Sequence, residues 1–242
     1  MANGLDLRDV DRALRSSVAS KDLIVIGRDE GGDEIYSTRA SLQAERDIMR
    51  EYRGAVRKSG LPARVQSQGV NRKVDDIVDR RLEARTSLTD GQGEAIKTAL
   101  TGRSRFVAIQ GYAGTGKTFA LNEVRKIADT LGYGAEGLAP SNRAVRELKD
   151  ALPDSETVQA RLMRGRSADQ GADPRKTILV VDESSMLDNA QMRALMQGAN
   201  RDQIARVVFV GDRLQLDGVG AGTPFALLQR SGIVTANMED VI

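Results

Sequence analysis

The sequence predicts an α/β fold: a parallel sheet with helices on both faces, preceded by a small α+β region. Three observations carry this expectation. From Leu88 onward, apolar strand-like runs alternate with helical stretches. Those runs are rich in β-branched residues and nearly continuous in apolar character, which marks strands buried on both faces. One strand-to-helix turn, "GYAGTGKT", is crowded with glycine and ends in lysine and threonine.

The elements follow in order. Leu7, Val10, Leu14 and Val18 fall at helical spacing and predict a short amphipathic helix. "DLIVIG" and "EIYS" read as strands, with the turn-rich "GRDEGGD" between them. A helix follows, with Leu42, Ala44, Glu45, Ile48 and Met49 near its middle. "SGLPARVQSQG" reads as a loop or linker, and Val70, Val74, Ile77 and Leu82 as a further helix. Residues 1–85 are expected to form a small accessory domain and residues 86–242 the main one. In the main one the strands are "RFVAIQG", "GAEGLAPS", "TILVVDES" and "ARVVFVGD". The first three each lead into a helix and the last into a loop. "RGRSADQGADPRK", Arg164 to Lys176, is the most loop-like stretch of this half.

Composition narrows the chemistry. The chain has 242 residues, enough for a sizeable core, with 40% hydrophobic and 29% charged residues, as in soluble globular proteins. No apolar run approaches a bilayer span, so no membrane insertion is expected. "MANGLDLRDVDRAL" lacks the basic start and apolar stretch of a signal peptide, and a cytoplasmic location is expected. Cysteine and histidine are both absent, which excludes disulfides, thiolate metal sites, histidine triads and histidine bases. Catalysis must rest on carboxylates, lysine, hydroxyls or a magnesium ion. The net charge of +2, from 36 basic and 34 acidic residues, does not by itself indicate a polyanionic partner.

The glycine-rich turn points to a phosphate. Gly111-Tyr112-Ala113-Gly114-Thr115-Gly116-Lys117-Thr118 fits G-x-x-x-x-G-K-[ST], between a strand and an apolar helical run. Glycines let backbone N–H groups curl around phosphates, and the helix N-terminus adds partial positive charge. In such a loop Lys117 reaches the β and γ phosphates of ATP, and the Thr118 hydroxyl holds Mg²⁺. "TILVVDESSM" ends an apolar strand with Asp182 and Glu183, side chains that emerge beside such a loop. Asp182 suits a Mg²⁺ contact, and Glu183 suits a base that orients the attacking water. Taken alone, the same residues also suit a solvated turn capping the next helix.

The motif order carries a resemblance. "LTDGQ", "GYAGTGKT", "LAPSNRAVREL", "VVDESSM" and "VFVGDRLQL" occur in this sequence. Together they resemble the Q motif and motifs I, Ia, II and III of a superfamily-one DNA helicase of the RecD-like branch. Within it the chain is similar to the helicase part of conjugative relaxase–helicases of the TraI/TrwC (MobF) type. The ordered set covers about Leu88 to Leu228, and "YSTRASLQAERDIM" resembles the segment that introduces the core there. The resemblance implies a RecA-like P-loop NTPase domain, with ATP and Mg²⁺ as cofactors and single-stranded DNA as partner. It implies unwinding of plasmid DNA in conjugative transfer, with 5′ to 3′ movement. Gln92 is implied to read the adenine edge, although Thr89-Asp90-Gly91-Gln92 is also a capping box. Ser141, Asn142 and Arg143 are implied DNA-phosphate contacts, or else an ordinary N-cap with a solvated arginine. Thr157 sits where such helicases touch single-stranded DNA. Gln215 is the implied sensor of the γ-phosphate, or else a plain loop glutamine.

The departures also matter. "DGVGAG" follows "GDRLQL" where the family continues with prolines, and a histidine expected near Gln159 is missing. The chain stops soon after motif III, so it is expected to be one module of a longer protein. The second RecA-like domain, with an arginine completing the ATP site, is expected elsewhere in that protein. The histidine cluster and tyrosine context of a relaxase are absent. An alternative of another class is a helicase-derived module carrying a signal for a type IV coupling protein, which would export the parent to a recipient cell. Intact Lys117, Thr118, Asp182 and Glu183 speak against that degenerate reading. A P-loop kinase would need an acceptor site and a lid, and does not require the DES and GDxxQ pair.

Overall fold

The structure, a computed structural model, describes residues 7–20, 22–28, 31–55, 61, 64–67, 70–85, 87–112, 114–164, 173–212 and 222–240. The chain opens with α1 (Leu7–Ala19), then β1 (Leu23–Arg28) and β2 (Glu34–Thr38), which pair antiparallel, and α2 (Arg39–Ala55). A second antiparallel hairpin, β3 (Arg64–Ser67) and β4 (Val70–Lys73), leads into α3 (Val74–Glu83). This hairpin departs from the sequence expectation. The segment read as a linker contains β3, and Val70 lies in β4, not in the helix that follows. Each strand holds four residues with one apolar side chain, too little for a period-2 signal. Most of "RGRSADQGADPRK" lies outside the described residues, and its end, Pro174–Lys176, forms a 3₁₀ turn.

Beyond it come α4 (Asp90–Leu100), β5 (Phe106–Gly111), α5 (Lys117–Leu131), β6 (Gly134–Ala139) and α6 (Asn142–Leu148). Then follow β7 (Ser155–Thr157), α7 (Val158–Arg164), β8 (Thr177–Val181), α8 (Asn189–Arg201), β9 (Arg206–Gly211), α9 (Pro224–Arg230) and β10 (Thr235–Met238). The six strands form one parallel sheet in the order β10-β5-β9-β8-β6-β7. The four long strands were legible in the sequence. The two edge strands β7 and β10 were not, because each is short and pairs on one side only.

Period-2 alternation on the central strands divides the core. Val107 and Ile109 of β5, Ile178 and Val180 of β8, and Val208 and Val210 of β9 face α3, α4, α5 and α6. Phe106 and Ala108, Leu179 and Val181, and Val207 and Phe209 face α2, α8 and α9. The Phe106 and Phe209 rings lie 6.1 Å apart and 19° from coplanar. The region expected as an accessory domain therefore contributes to both layers. Ile48, Tyr52 and Ala55 of α2 are buried on one face of the sheet, and Val74, Ile77 and Val78 of α3 on the other. α2 runs alongside α8: Asn189 Nδ2 donates to Ser41 Oγ at 3.0 Å, and Asn200 Nδ2 to Glu51 Oε2 at 2.8 Å.

Two arginines close the lower edge of the sheet. Arg206, fully buried at the start of β9, donates to the carbonyls of Thr98, Thr101 and Gly102 at the end of α4. Arg105, just before β5, donates to the Ala199 and Asn200 carbonyls at the end of α8. Arg206 satisfies carbonyls at the end of one helix, and Arg105, on the opposite face of the sheet, adds a second donor to carbonyls that already accept Ile204 N and Gln203 N.

Candidate nucleotide site

At the opposite edge, the carboxyl ends of β5, β8 and β9 meet. β5 ends at Gly111 and the glycine-rich loop turns into α5. Gly116, the N-cap of α5, takes φ 74° and ψ 33°, a left-handed conformation that favours glycine. A side chain at Gly111 would place its Cβ 2.9 Å from Lys117 Cδ, so the loop lies tight against the lysine. Internal bonds hold it: Thr115 Oγ1 donates to Tyr112 O at 2.9 Å, and Lys117 Nζ to Gly111 O at 3.0 Å. Thr118 is exposed on the first turn of α5, and Gly114 is also left-handed, at φ 79°. Ala113 lies outside the described residues.

Gln92 is fully buried and ties α4 to this loop. Its amide oxygen accepts from Thr89 N at 3.2 Å, completing the expected capping box. Its amide nitrogen donates to Thr115 O at 3.1 Å. Both ends of the amide are thus engaged by protein, and the residue implied to read adenine braces the phosphate loop.

Asp182 and Glu183 follow β8. Asp182 N donates to Leu138 O at 2.8 Å, and Asp182 Oδ1 accepts from Glu183 N at 2.9 Å. Glu183 adopts φ 49°, an uncommon conformation for a residue with a side chain, which costs roughly 1–3 kcal/mol. Glu183 stands at the N-cap position of a 3₁₀ turn, Ser184–Met186, without a side-chain cap bond, and the α-helix beyond has Asp188 and Gln191 as its own capping box. Burial raises the Asp182 carboxyl above the usual carboxylate range, against the opposing pull of the Glu183 N–H and Lys117. Glu183 is raised too, first by burial, then by the neighbouring charges of Asp182 and Glu147.

These groups share a cavity of about 160 Å³, whose polar lining is Lys117, Thr118, Asp182, Glu183, Asp212 and Glu147. The last two were not singled out from sequence. Asp212 follows Gly211 at the end of β9, and Gln110 Nε2 donates to its Oδ1 at 3.1 Å. The "GD" after an apolar strand was its only signal. Glu147, four residues after Arg143 on α6, pairs with that arginine at 3.1 Å. Gln215 lies outside the described residues.

The implied DNA residues gather on the same edge. β6 and β7 pair in register, with Ala139 opposite Thr157, so the turn carrying Ser141 starts beside Thr157. Ser141 is the N-cap of α6, its Oγ accepting from Ala144 N at 3.2 Å. Asn142 opens the helix, and Arg143 is exposed. Thr157 Oγ1 accepts from Ala160 N at 3.1 Å at the start of α7.

The donor set fits Mg²⁺ with a triphosphate. Mg²⁺ prefers hard oxygen ligands and usually takes one or two carboxylates plus substrate phosphates. Thr118 and Asp182 supply hydroxyl and carboxylate oxygens in one cavity. Among the described residues no group of three or more acidic side chains forms a metal cage by itself. Among them, too, no helix is long and apolar enough to cross a membrane.

Comparison with known proteins places this arrangement. Residues 87–242 match the AAA domain family. The chain is 29% identical over 254 residues to the multifunctional conjugation protein TraI of Escherichia coli strain K12, covering 100% of this chain and 13% of that protein. It is 32% identical over 199 residues to the conjugal transfer protein TraA of Rhizobium radiobacter, covering 81% of this chain and 17% of that protein. It is 31% identical over 153 residues to the ATP-dependent RecD2 DNA helicase of Deinococcus radiodurans, covering 62% of this chain and 21% of that protein. The chain thus spans a small fraction of the length of each of these relatives. It belongs to the AAA domain family, on the RecD-like helicase branch that its motif order indicated.

Proposed function

We propose that this chain is the ATP-binding module of a DNA helicase that moves along single-stranded DNA in conjugative transfer. The observation that carries the reading is the convergence of Lys117, Thr118, Asp182 and Glu183 on one cavity at the carboxyl edge of the sheet. Lys117 neutralises the β and γ phosphates of ATP. Thr118 and Asp182 would hold Mg²⁺, which would supply charge stabilisation at the phosphates. Glu183 orients the attacking water and accepts its proton; its raised proton affinity suits that task. Gln92 and Thr115 keep the loop in shape before substrate arrives. Gly111, Gly114 and Gly116 leave room for backbone N–H groups to approach phosphate. Gln215 senses the γ-phosphate. Ser141, Asn142, Arg143 and Thr157 hold the DNA backbone on the neighbouring strand ends. Residues 1–85 brace this site from both faces of the sheet, and residues 86–242 carry it.

The expected partners are single-stranded DNA, a second RecA-like domain in the parent protein and a type IV coupling protein. Movement is 5′ to 3′, in the cytoplasm of the donor cell. The deciding experiment is Lys117→Ala. Removing the charge and its hydrogen bonds to phosphate abolishes ATP·Mg²⁺ binding in calorimetry, with the circular dichroism spectrum unchanged. Undiminished affinity in a folded variant would end the phosphate-loop assignment.

A further inference from the structure

α2 sorts its charges by direction. Its acids turn toward α8: Glu45 accepts from Asn189 Nδ2 at 3.4 Å, Asp47 from Arg193 at 3.4 Å, and Glu51 from Asn200 at 2.8 Å. Its arginines turn outward. Arg46, Arg50 and Arg53 follow one another at i, i+4 and i+7, the spacing of one helix face. All three are exposed. Arg50 shares the buried Asp47 at 2.7 Å, whereas Arg46 and Arg53 have no acidic partner among the described residues. The three arginines rim a groove of about 830 Å³ whose floor is Leu42, Met49 and Leu227 of α9. Glu45 lies within it, already bonded to Asn189.

We infer that this groove is a second anchoring path for single-stranded nucleic acid, with phosphates along Arg46, Arg50 and Arg53 and bases over the apolar floor. The inference rests on the helicase reading above. Charge complementarity favours a polyanion: Glu45 and Glu51 are engaged by α8, and of the row Asp47 answers Arg50 alone, which leaves Arg46 and Arg53 uncancelled among the described residues. Position favours a strand that leaves the nucleotide site. Ser41, in the first turn of α2, bonds Asn189 just after the acidic turn, so the groove starts at the carboxyl edge of the sheet. Arg143 and Thr157 sit on that same edge, and the groove runs from it along α2. With no aromatic side chain in the floor or rim, the contact reads backbone charge and not base identity.

The test is fluorescence anisotropy with a labelled oligodeoxythymidine across a salt series, on the full chain. Arg46→Gln with Arg53→Gln removes two phosphate contacts. The expected result is about tenfold weaker binding at low salt and a salt slope shallower by about 1.4. Arg201→Gln, at an exposed arginine paired with Asp202 outside the groove, leaves both unchanged. Unaltered affinity and slope in the double variant overturn the inference; if Arg143→Gln still weakens binding in that case, the helicase reading stands without the groove. Absence of oligonucleotide binding by the wild-type chain overturns both. Capture of a polyglutamate peptide by the groove arginines, with no oligonucleotide binding there, makes it a protein-docking surface and also overturns the inference.

Discussion

Asp182 and Glu183 show at the scale of single residues how a site is set against stability. Burial raises both carboxyls, so their folded values lie above the unfolded ones. Between the ordinary carboxylate value and the raised one, the native state binds more protons than the unfolded state. Stability therefore falls as pH rises through that window, and above it the ionised pair is a standing cost. Asp182→Asn and Glu183→Gln should each raise the melting temperature of the nucleotide-free chain at neutral pH, and the gain should vanish near pH 4. The asparagine side chain keeps the oxygen that accepts from Glu183 N, so the turn survives the first change. Scanning calorimetry at the two pH values checks this; variants less stable at neutral pH would refute it. Arg206 carries the same kind of cost, because burial lowers its pKa to about 10, while three helix-end carbonyls accept from its guanidinium. Arg206→Met leaves those carbonyls unpaired. It should cost about 3 kcal/mol, a fall of about 6–12 °C in melting temperature. Local motifs were enough to single out Lys117, Thr118, Asp182 and Glu183, and the structure brings these four to one cavity. The bonds from Gln92 to Thr115 and from Gln110 to Asp212 were not, since only the fold brings together residues 23 and 102 positions apart.

At the scale of elements, long apolar strands announce themselves and short edge strands do not. β5, β8 and β9 are buried along their full length, so both faces must be apolar and the runs stand out. β7 has three half-buried residues and depends on its neighbour. Gly137 of β6 shows how close that neighbour lies. A Cβ there would sit 2.1 Å from Ser155 Oγ and 2.8 Å from Leu148 Cδ2. Gly137→Ala must displace Ser155, whose hydroxyl donates to Leu152 O, and should cost about 2 kcal/mol. A thermal melt should fall by about 4–8 °C. An unchanged melt would mean that the β6–β7 edge yields freely. The junction between α3 and α4 behaves differently from a linker. Arg85 pairs with Glu123 of α5 at 3.3 Å, and Leu88 N donates to Arg85 O at 3.2 Å. Val78 and Ile96, on either side of the junction, are buried in one cluster. Limited proteolysis should therefore spare residues 83–88, and early cleavage there would contradict the packing.

At the scale of the whole molecule, the charge of the phosphate cavity decides what the chain can do unaided. Its lining among the described residues holds four carboxylates, Glu147, Asp182, Glu183 and Asp212, against one cation, Lys117. ATP bound there, as proposed, would add further negative charge to the same place. Mg²⁺ would offset part of it, so affinity should depend steeply on Mg²⁺, and chelation should release the nucleotide. Hydrolysis also needs positive charge on the far side of the γ-phosphate. An arginine supplied there raises rates by roughly 10³–10⁵ in other phosphate-loop enzymes. The described lining holds no arginine: the nearest, Arg143 on α6, is engaged by Glu147, itself a carboxylate of the lining. Stimulation by DNA further requires two bodies that close on the nucleotide, a motion that a single sheet with its helices does not supply. The expectation is that this chain binds ATP·Mg²⁺ weakly and turns it over slowly, with little response to single-stranded DNA. Joining it to an arginine-bearing second domain should restore turnover and its stimulation. Steady-state phosphate release, with and without oligodeoxythymidine, measures both. Rapid DNA-stimulated turnover by this chain as a monomer would require a cation to reach the cavity from within the chain itself, and the site would then be complete without a second domain.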